Sequence, residues 1–514
     1  MRTRGASGFV HLLRAEWTKL WTVRGWSIAM AAAALVIVAL GLLIASGDRA
    51  SCGGPNDDDC PAAPVGPGGE AVQDGFYFVH QPLTGDGTIT VRLTSLTGII
   101  TYPPPGHDEI VDGVVPWAKA GIMIKDGTEP GSSYAAVMLT GDHGARMQHD
   151  FTHDTAGRPG GASATSPRWL RLTRAGDTLT GEESADGVRW TGIDTVQLKG
   201  LPDDVQVGLF VASPCDLTVS SSLGGSAEEC RFTQATAVFD RVEVQGSTPL
   251  DAWSGIEVAD DGGQTAWERD HRPNGFVPSG DTLTVSGAGD IAPLGDAGAA
   301  PVERTLTGVF AGLVVVIVVA AMFSTTEYRR GLIRSTLLAS PRRSRALAAK
   351  AVVIGVAAFA AGLAATAVTV PLGTRILRAN GIQILPAPQL TDLRVVVGTA
   401  ALLAVAAVFA LALGMLLRRS VVAVTVGVAA LVLPYFLAVG SVVPDGAAAW
   451  LMRLTPAAGF AIQQSIPAYP QVIGHYAPST GYYPLAPWLG FAVLGAYTAL
   501  ALGLAAVRLH RSDA

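Results

Sequence analysis

Charge is what this chain has least of. Only 15% of its 514 residues are Asp, Glu, Lys or Arg, against about 25% in a soluble globular protein. With 49% hydrophobic residues, that shortage argues against an ordinary soluble enzyme and excludes a disordered chain, which needs low hydrophobicity and high net charge. Lysine is rarer still. The five lysines are Lys19, Lys119, Lys125, Lys199 and Lys350, and none follows a glycine. The phosphate-cradling loop G-x-x-x-x-G-K-[ST] is therefore missing, so the chain is not itself an ATPase of that type. No positive excess exists to hold nucleic acid: the net charge is −6.

Six stretches contain no charged residue at all: Trp26–Ser46, Leu306–Phe323, Ala351–Leu372, Val395–Leu417, Val421–Val443 and Trp488–Val507. A bilayer core of about 30 Å takes roughly 20 apolar residues in a helix, and each stretch approaches or exceeds that length. The first is too long for a signal-peptide core and lacks a clear cleavage site, so it reads as a retained span. With the N-terminus inside, sixteen basic residues fall in inner segments and four in short outer loops. That bias places both termini in the cytoplasm. The expected order is a cytoplasmic N-terminus (1–25), a first span (26–46), an extracytoplasmic domain (47–304) and five further spans (305–514). The expected location is the plasma membrane, multi-pass.

All four cysteines, Cys52, Cys60, Cys215 and Cys230, lie in the 47–304 segment. Oxidising compartments favour disulfides. Three pairings are possible, and the nearest-neighbour one, Cys52–Cys60 with Cys215–Cys230, is preferred over a structural zinc site because no close C-x-x-C spacing occurs. In this segment period-two alternation replaces the long apolar runs. Ile89, Val91 and Leu93 share one strand face, Leu170 and Leu172 another, and Val205, Val207, Leu209 and Val211 a third. Turn signals such as Gly85-Asp86-Gly87 and Ala175-Gly176-Asp177 separate them. The pattern predicts an all-β sandwich or barrel.

Several features of the segment carry chemistry only weakly. Glu182, Glu183 and Asp186 lack the spacing of a glycosidase carboxylate pair and read as a turn between strands. His149 and His153 would share a face on a helix, but four residues along one strand put them about 13 Å apart, so a polar hairpin tip is expected instead of a metal site. Asp57-Asp58-Asp59 reads as a solvated loop, with calcium as the rival. No catalytic residue and no metal site are expected.

Two resemblances appear. Trp169-Leu170-Arg171-Leu172-Thr173-Arg174-Ala175-Gly176-Asp177-Thr178-Leu179-Thr180, then Ser184-Ala185-Asp186-Gly187-Val188-Arg189-Trp190, resembles a signature of concanavalin-like (laminin-G-like) jelly-roll domains. Lys119–Ile124, Val207–Ser213 and Phe239–Val244 follow the same order. The likeness covers about residues 73–245 and implies a jelly roll. The family often carries an aromatic near Glu182 or Glu183, which this sequence lacks locally. A superfold hosts many functions.

The second resemblance covers about residues 8–50 and 304–511. Leu13-Arg14-Ala15-Glu16-Trp17-Thr18-Lys19-Leu20, the segment Thr326–Arg345, Trp450–Ala458, Gln463–Pro467 and Gly481–Leu485 are similar to permease subunits of the type-2 ABC exporter class, as found in actinobacteria. The resemblance implies six transmembrane helices, an N-terminal interfacial helix, a coupling helix between spans two and three that docks on a separate ABC ATPase subunit, and re-entrant helices before the last span. It also implies two permease subunits, as a homodimer or heterodimer, with ATP acting through the partner and no cofactor in this chain.

The residues agree in part by themselves. Val10, Leu13, Trp17, Leu20 and Trp21 form an apolar stripe, with Arg14, Glu16 and Lys19 off it; such a helix lies in the interface with Trp17 and Trp21 among membrane lipid headgroups. Within the cytoplasmic loop 324–350, Glu327, Arg330 and Arg334 fall at helical spacing and are the expected ATPase-coupling charges. Residues 447–465 are apolar but too short to cross, which suits a re-entrant segment. The fold expected is thus a polytopic α-helical membrane protein with an inserted extracytoplasmic β-sandwich, and the function that of an exporter permease, not an enzyme. The alternative is a membrane-anchored protein that binds or senses cell-wall glycan through the β domain; six spans exceed what an anchor needs.

Overall fold

The computed structural model describes residues 4–49, 63–101, 110–222, 225–246, 253–259, 266–295, 299–329 and 343–511. Its helices are α1 (Arg4–Thr22), α2 (Arg24–Gly47), α3 (Ala266–His271), α4 (Val309–Arg329), α5 (Arg343–Ala379), α6 (Gln389–Leu417), α7 (Ser420–Val439), α8 (Asp445–Leu454) and α9 (Pro487–Arg511). Six of them, α2, α4, α5, α6, α7 and α9, are long and apolar enough to cross a membrane, which fits a multi-pass membrane protein. α5 runs 37 residues, well beyond the charge-free stretch at its centre. Arg343, Arg345 and Lys350 extend it at one end and Arg375 and Arg378 at the other.

α6 is the axis of the bundle. Ala406, Ala407, Ala410 and Ala412 are fully buried along it, and such small residues let helix backbones approach closely. The same logic brings α2 against α4. Gly308 and Gly312 form a small-xxx-small pair, and a Cβ at either would lie within 2.4 Å of Ile37 atoms. After α8 the chain makes a 3₁₀ turn over Pro456–Gln463 in which every residue is buried. Neither α8, at ten residues, nor this turn, at eight, can cross a bilayer. Their polar ends are satisfied from neighbouring elements: Gln463 donates to the Thr399 hydroxyl, and Gln464 accepts from the Tyr483 backbone.

Between α2 and α4 lies a two-sheet β-sandwich. One sheet runs Thr191–Gln197, Thr178–Ser184, Arg168–Ala175, Gly87–Ile100, Thr233–Gln245, Thr282–Gly287, Gly275–Ser279, with Val111–Asp112 paired to Gly87–Ile100. The other runs Ser254–Glu257, Tyr77–Thr84, Asp204–Ala212, Lys119–Lys125, Tyr134–Thr140, Ala145–His149, His153–Ala156. Ile89, Val91, Leu170, Leu172, Val207 and Leu209 meet in the core between them, as their alternation predicts. The second sheet is also covered on its outer face, where Phe76, Phe78, Met123, Tyr134, Phe151 and Phe210 form another core. The lid there is a strand pair, Val72–Asp74 with Ile291–Pro293.

The Cys215–Cys230 disulfide closes the hairpin of Asp216–Ser222 and Gly225–Arg231, as expected. Cys52 and Cys60 lie outside the described residues, as does Asp57-Asp58-Asp59. The hairpin tip expected at His149 and His153 is present: the two are cross-strand partners in one hairpin, and their rings stack at 4.2 Å. Asp150 and Phe151 make the turn with positive φ. Glu182 and Glu183 correct the sequence reading: they belong to a strand, Thr178–Ser184, and not to a turn.

Candidate functional site

The strongest concentration of buried charge joins α1 to the facing ends of α4 and α5. Glu16 and Lys19 come from α1, Glu327 from the last turn of α4 and Lys350 from the third turn of α5. Lys350 Nζ donates to Glu16 Oε2 at 2.9 Å and to Glu327 Oε1 at 2.5 Å. Lys19 Nζ donates to Glu16 Oε1 at 3.0 Å and to Glu327 Oε1 at 3.1 Å. Two acids and two ammonium groups thus close a ring with no net charge. The side chains of Lys350 and Glu16 are 2% and 3% exposed, that of Lys19 44%. Phe323 lies under Lys350 at 5.4 Å, and Trp26 packs edge-on against Phe323. Burial pulls the Lys19 ammonium down, but the Glu327 and Glu16 carboxylates outweigh it and hold the group above its ordinary value.

This arrangement differs from the sequence expectation in two ways. Glu16 and Lys19 were expected off the packed face of α1, yet Glu16 points into the protein beside buried Leu20. Trp17 and Trp21 face away from it, 40% and 59% exposed, with their rings 6.1 Å apart. The apolar stripe is therefore shared between two surroundings. Leu13 and Leu20 pack against the bundle, while the tryptophans remain outside. Glu327 also turns inward, onto Lys350, with its side chain 10% exposed. Arg330 and Arg334 lie outside the described residues. No pattern within one segment could have revealed the ring, because Glu16 and Lys350 are 334 residues apart.

A second polar zone sits where the sandwich meets the bundle. Asp48 pairs with Arg304 at 2.9 Å, and Asn380 donates to the Asp48 carbonyl at 2.8 Å. Ala299–Ala300 pairs in parallel with Gln383–Ile384. Glu303 accepts from the Ser465 backbone N–H at 2.8 Å and from its hydroxyl. Burial pushes the Glu303 carboxyl up to about 7, against the pull of those bonds and of Arg394. His475 lies between Asp445 of α8, at 2.9 Å, and Glu228 of the disulfide hairpin, at 3.3 Å. Two buried lysines hold the strand-pair lid: Lys125 Nζ reaches Asp74 at 2.8 Å, and Lys119 Nζ reaches Asp290 and the Ile291 carbonyl.

The carboxylates of the sandwich are engaged one by one. Glu182 pairs with Arg171, and Glu183 with Arg168 while accepting from the Arg158 backbone. Asp186 accepts from the Val188 and Arg189 backbones, which hold it well below the usual carboxylate range. Folding does supply an aromatic near Glu182: Trp190 stacks on Arg171 at 4.1 Å. Among the described residues no group of three His, Cys, Asp or Glu is placed to hold a metal ion.

No family model matches this sequence, and no curated protein matches it. Among solved structures it is similar to a functionally unknown protein from Saccharomyces cerevisiae, at 16% identity over 34% of this chain and 76% of that one, TM-score 0.20. It is also similar to Scytalido-glutamic peptidase, at 11% identity over 43% and 100% of the two chains, TM-score 0.26. A third likeness is to an alginate lyase from Klebsiella pneumoniae, at 11% identity over 32% and 61%, TM-score 0.17. Likenesses of this size carry no argument about function.

Proposed function

We propose that this chain is the membrane-spanning permease subunit of an ATP-driven exporter of the type-2 ABC class, energised by a separate ATPase subunit and paired with a second permease subunit. In this reading both termini are cytoplasmic, the sandwich is an extracytoplasmic jelly roll, and residues 447–465 are re-entrant. The observation that supports it most is the Glu16–Lys19–Glu327–Lys350 ring. It fixes the end of α4 and the start of α5, the two helices that flank residues 330–342, to each other and to α1. A partner pressing on that loop would move three helices together, which is what energy transfer to a permease requires. Glu327 then acts as a positioning residue at the base of the loop, and Arg330 and Arg334 are the charges left to meet the partner.

The test is a photo-crosslinking residue at Leu332 of the full chain in native membranes. The expected product links the chain to a protein bearing a Walker A motif. Absence of that product, with the chain correctly inserted, overturns the proposal. Among the described residues, the glycan-binding alternative draws on Trp169 and Trp190 at the first sheet. Arginines flank both: Arg171 covers Trp190, and Arg92 lies 5.8 Å from the Trp169 ring.

A further inference from the structure

An apolar cavity of about 300 Å³ opens beside α6 and α9 at the end of the bundle nearest the sandwich. That volume lies at the small end of ligand sites, about 300–1,000 Å³. One wall is a single stripe of α6: Leu390, Leu393, Arg394, Val397, Gly398 and Ala401. These positions recur at three and four residues, so they share a helix face. At 1.5 Å per residue the stripe is about 16 Å long, close to half of a roughly 30 Å hydrocarbon core. Trp488 and Phe491 of α9 form the facing wall, and Ile462 of the buried 3₁₀ turn closes the back.

Arg394 is the one charged residue in the lining. Its Nη2 donates to the Gln464 carbonyl, while its Nε is buried with no hydrogen-bond partner among the described residues. Glu303 acts on it electrostatically but spends its hydrogen bonds on Ser465. Arg394 and Trp488 both stand in the first two turns of their helices, at the same end of the bundle. Tryptophan at a helix end is the usual mark of headgroup level, and a guanidinium at that level suits a phosphate oxygen.

We infer that this groove holds one acyl chain of an anionic glycerophospholipid from the leaflet on the sandwich side, its phosphate on Arg394. The inference rests on the membrane-spanning reading of the six helices and is independent of export.

The test uses the full-length chain, equilibrated with vesicles of phosphatidylglycerol and phosphatidylcholine and examined by native mass spectrometry. The wild type retains phosphatidylglycerol in preference to phosphatidylcholine. Arg394→Gln lowers that preference roughly tenfold, the scale of one charge-assisted hydrogen bond, and Arg394→Lys restores part of it. Ala401→Phe fills the groove and lowers retention of both lipids. Unchanged preference in Arg394→Gln, or unchanged retention in Ala401→Phe, overturns the inference. So does an oxidant-induced dimer of Leu393→Cys that the wild type does not form, because it seats a second copy in the groove. Release of the chain from membranes by alkaline carbonate would instead overturn the membrane-spanning reading itself.

Discussion

Replacing Lys350 by Met gives the sharpest test of the charge ring. The ammonium removed is 2% exposed and donates to two carboxylates. Taking one partner from a buried ion pair costs about 3–5 kcal/mol, because the remaining charge is stranded. Lys19 stays beside both acids, but its side chain is 44% exposed, and a solvent-screened pair offsets only about 0–1 kcal/mol. At about 2–4 °C per kcal/mol for a domain of 150–250 residues, the melting temperature should fall on the order of 10 °C. Adding Glu327→Gln removes one stranded acid. The double variant should therefore recover about 1 kcal/mol or more relative to the sum of the singles, as contacting residues do in such cycles. Thermal unfolding of the detergent-solubilised chain reads the stability. Limited proteolysis reads the release of α1, which should be cut faster in Lys350→Met. If Lys350→Met melts with the wild type, or if the two substitutions add without coupling, the ring does not hold these helices together. Glu327→Lys should likewise destabilise the fold, since a lysine there would meet Lys19 and Lys350 directly.

Glu303, pushed up to about 7, binds its proton more tightly in the folded chain than in the unfolded one. Its contribution to stability is complete below the unfolded carboxyl range of about 4.3 and is lost as pH rises through about 7; melting scans from pH 5 to 8 should show the decline, and Glu303→Gln should flatten it. A cysteine at Ser344 should be shielded from a membrane-impermeant thiol reagent in intact cells and one at Ser279 labelled; the reverse would overturn the orientation. Cys215→Ser should weaken the hairpin it closes by about 3 kcal/mol, the chain-entropy figure for a 15-residue loop, seen as faster proteolysis between residues 216 and 231. Non-reducing peptide mapping should find Cys52–Cys60 as the second bridge.

The long helices were legible because their signal is local. A run such as Val395–Leu417 leaves the backbone few ways to satisfy itself, and the observed α6 differs only by one added polar-bearing turn and a half at its start. The strand faces at Ile89–Leu93 and Leu170–Leu172 were legible for the same reason. What escaped depends on where distant segments meet. The hairpin tip at His149 and His153 was expected, but the stacking of their rings needed its register, set by positive φ at the non-glycine residues Asp150 and Phe151. The buried pairs Lys125–Asp74 and Lys119–Asp290 depend on a second core that covers the outer face of their sheet, which no local pattern announces. Glu16 was misplaced because α1 divides its apolar stripe between the bundle and the outside.

The Asp48–Arg304 pair has a broader meaning. It brings the point where the chain leaves the helical bundle next to the point where it returns, with some 250 intervening residues looped out above. A segment whose ends already touch asks its host to stretch nothing, and loop-closure entropy grows only slowly with the length inserted. Domain insertions succeed under this condition. The sandwich is thus a module that the six-helix body could gain or lose as a unit, leaving its own packing nearly intact.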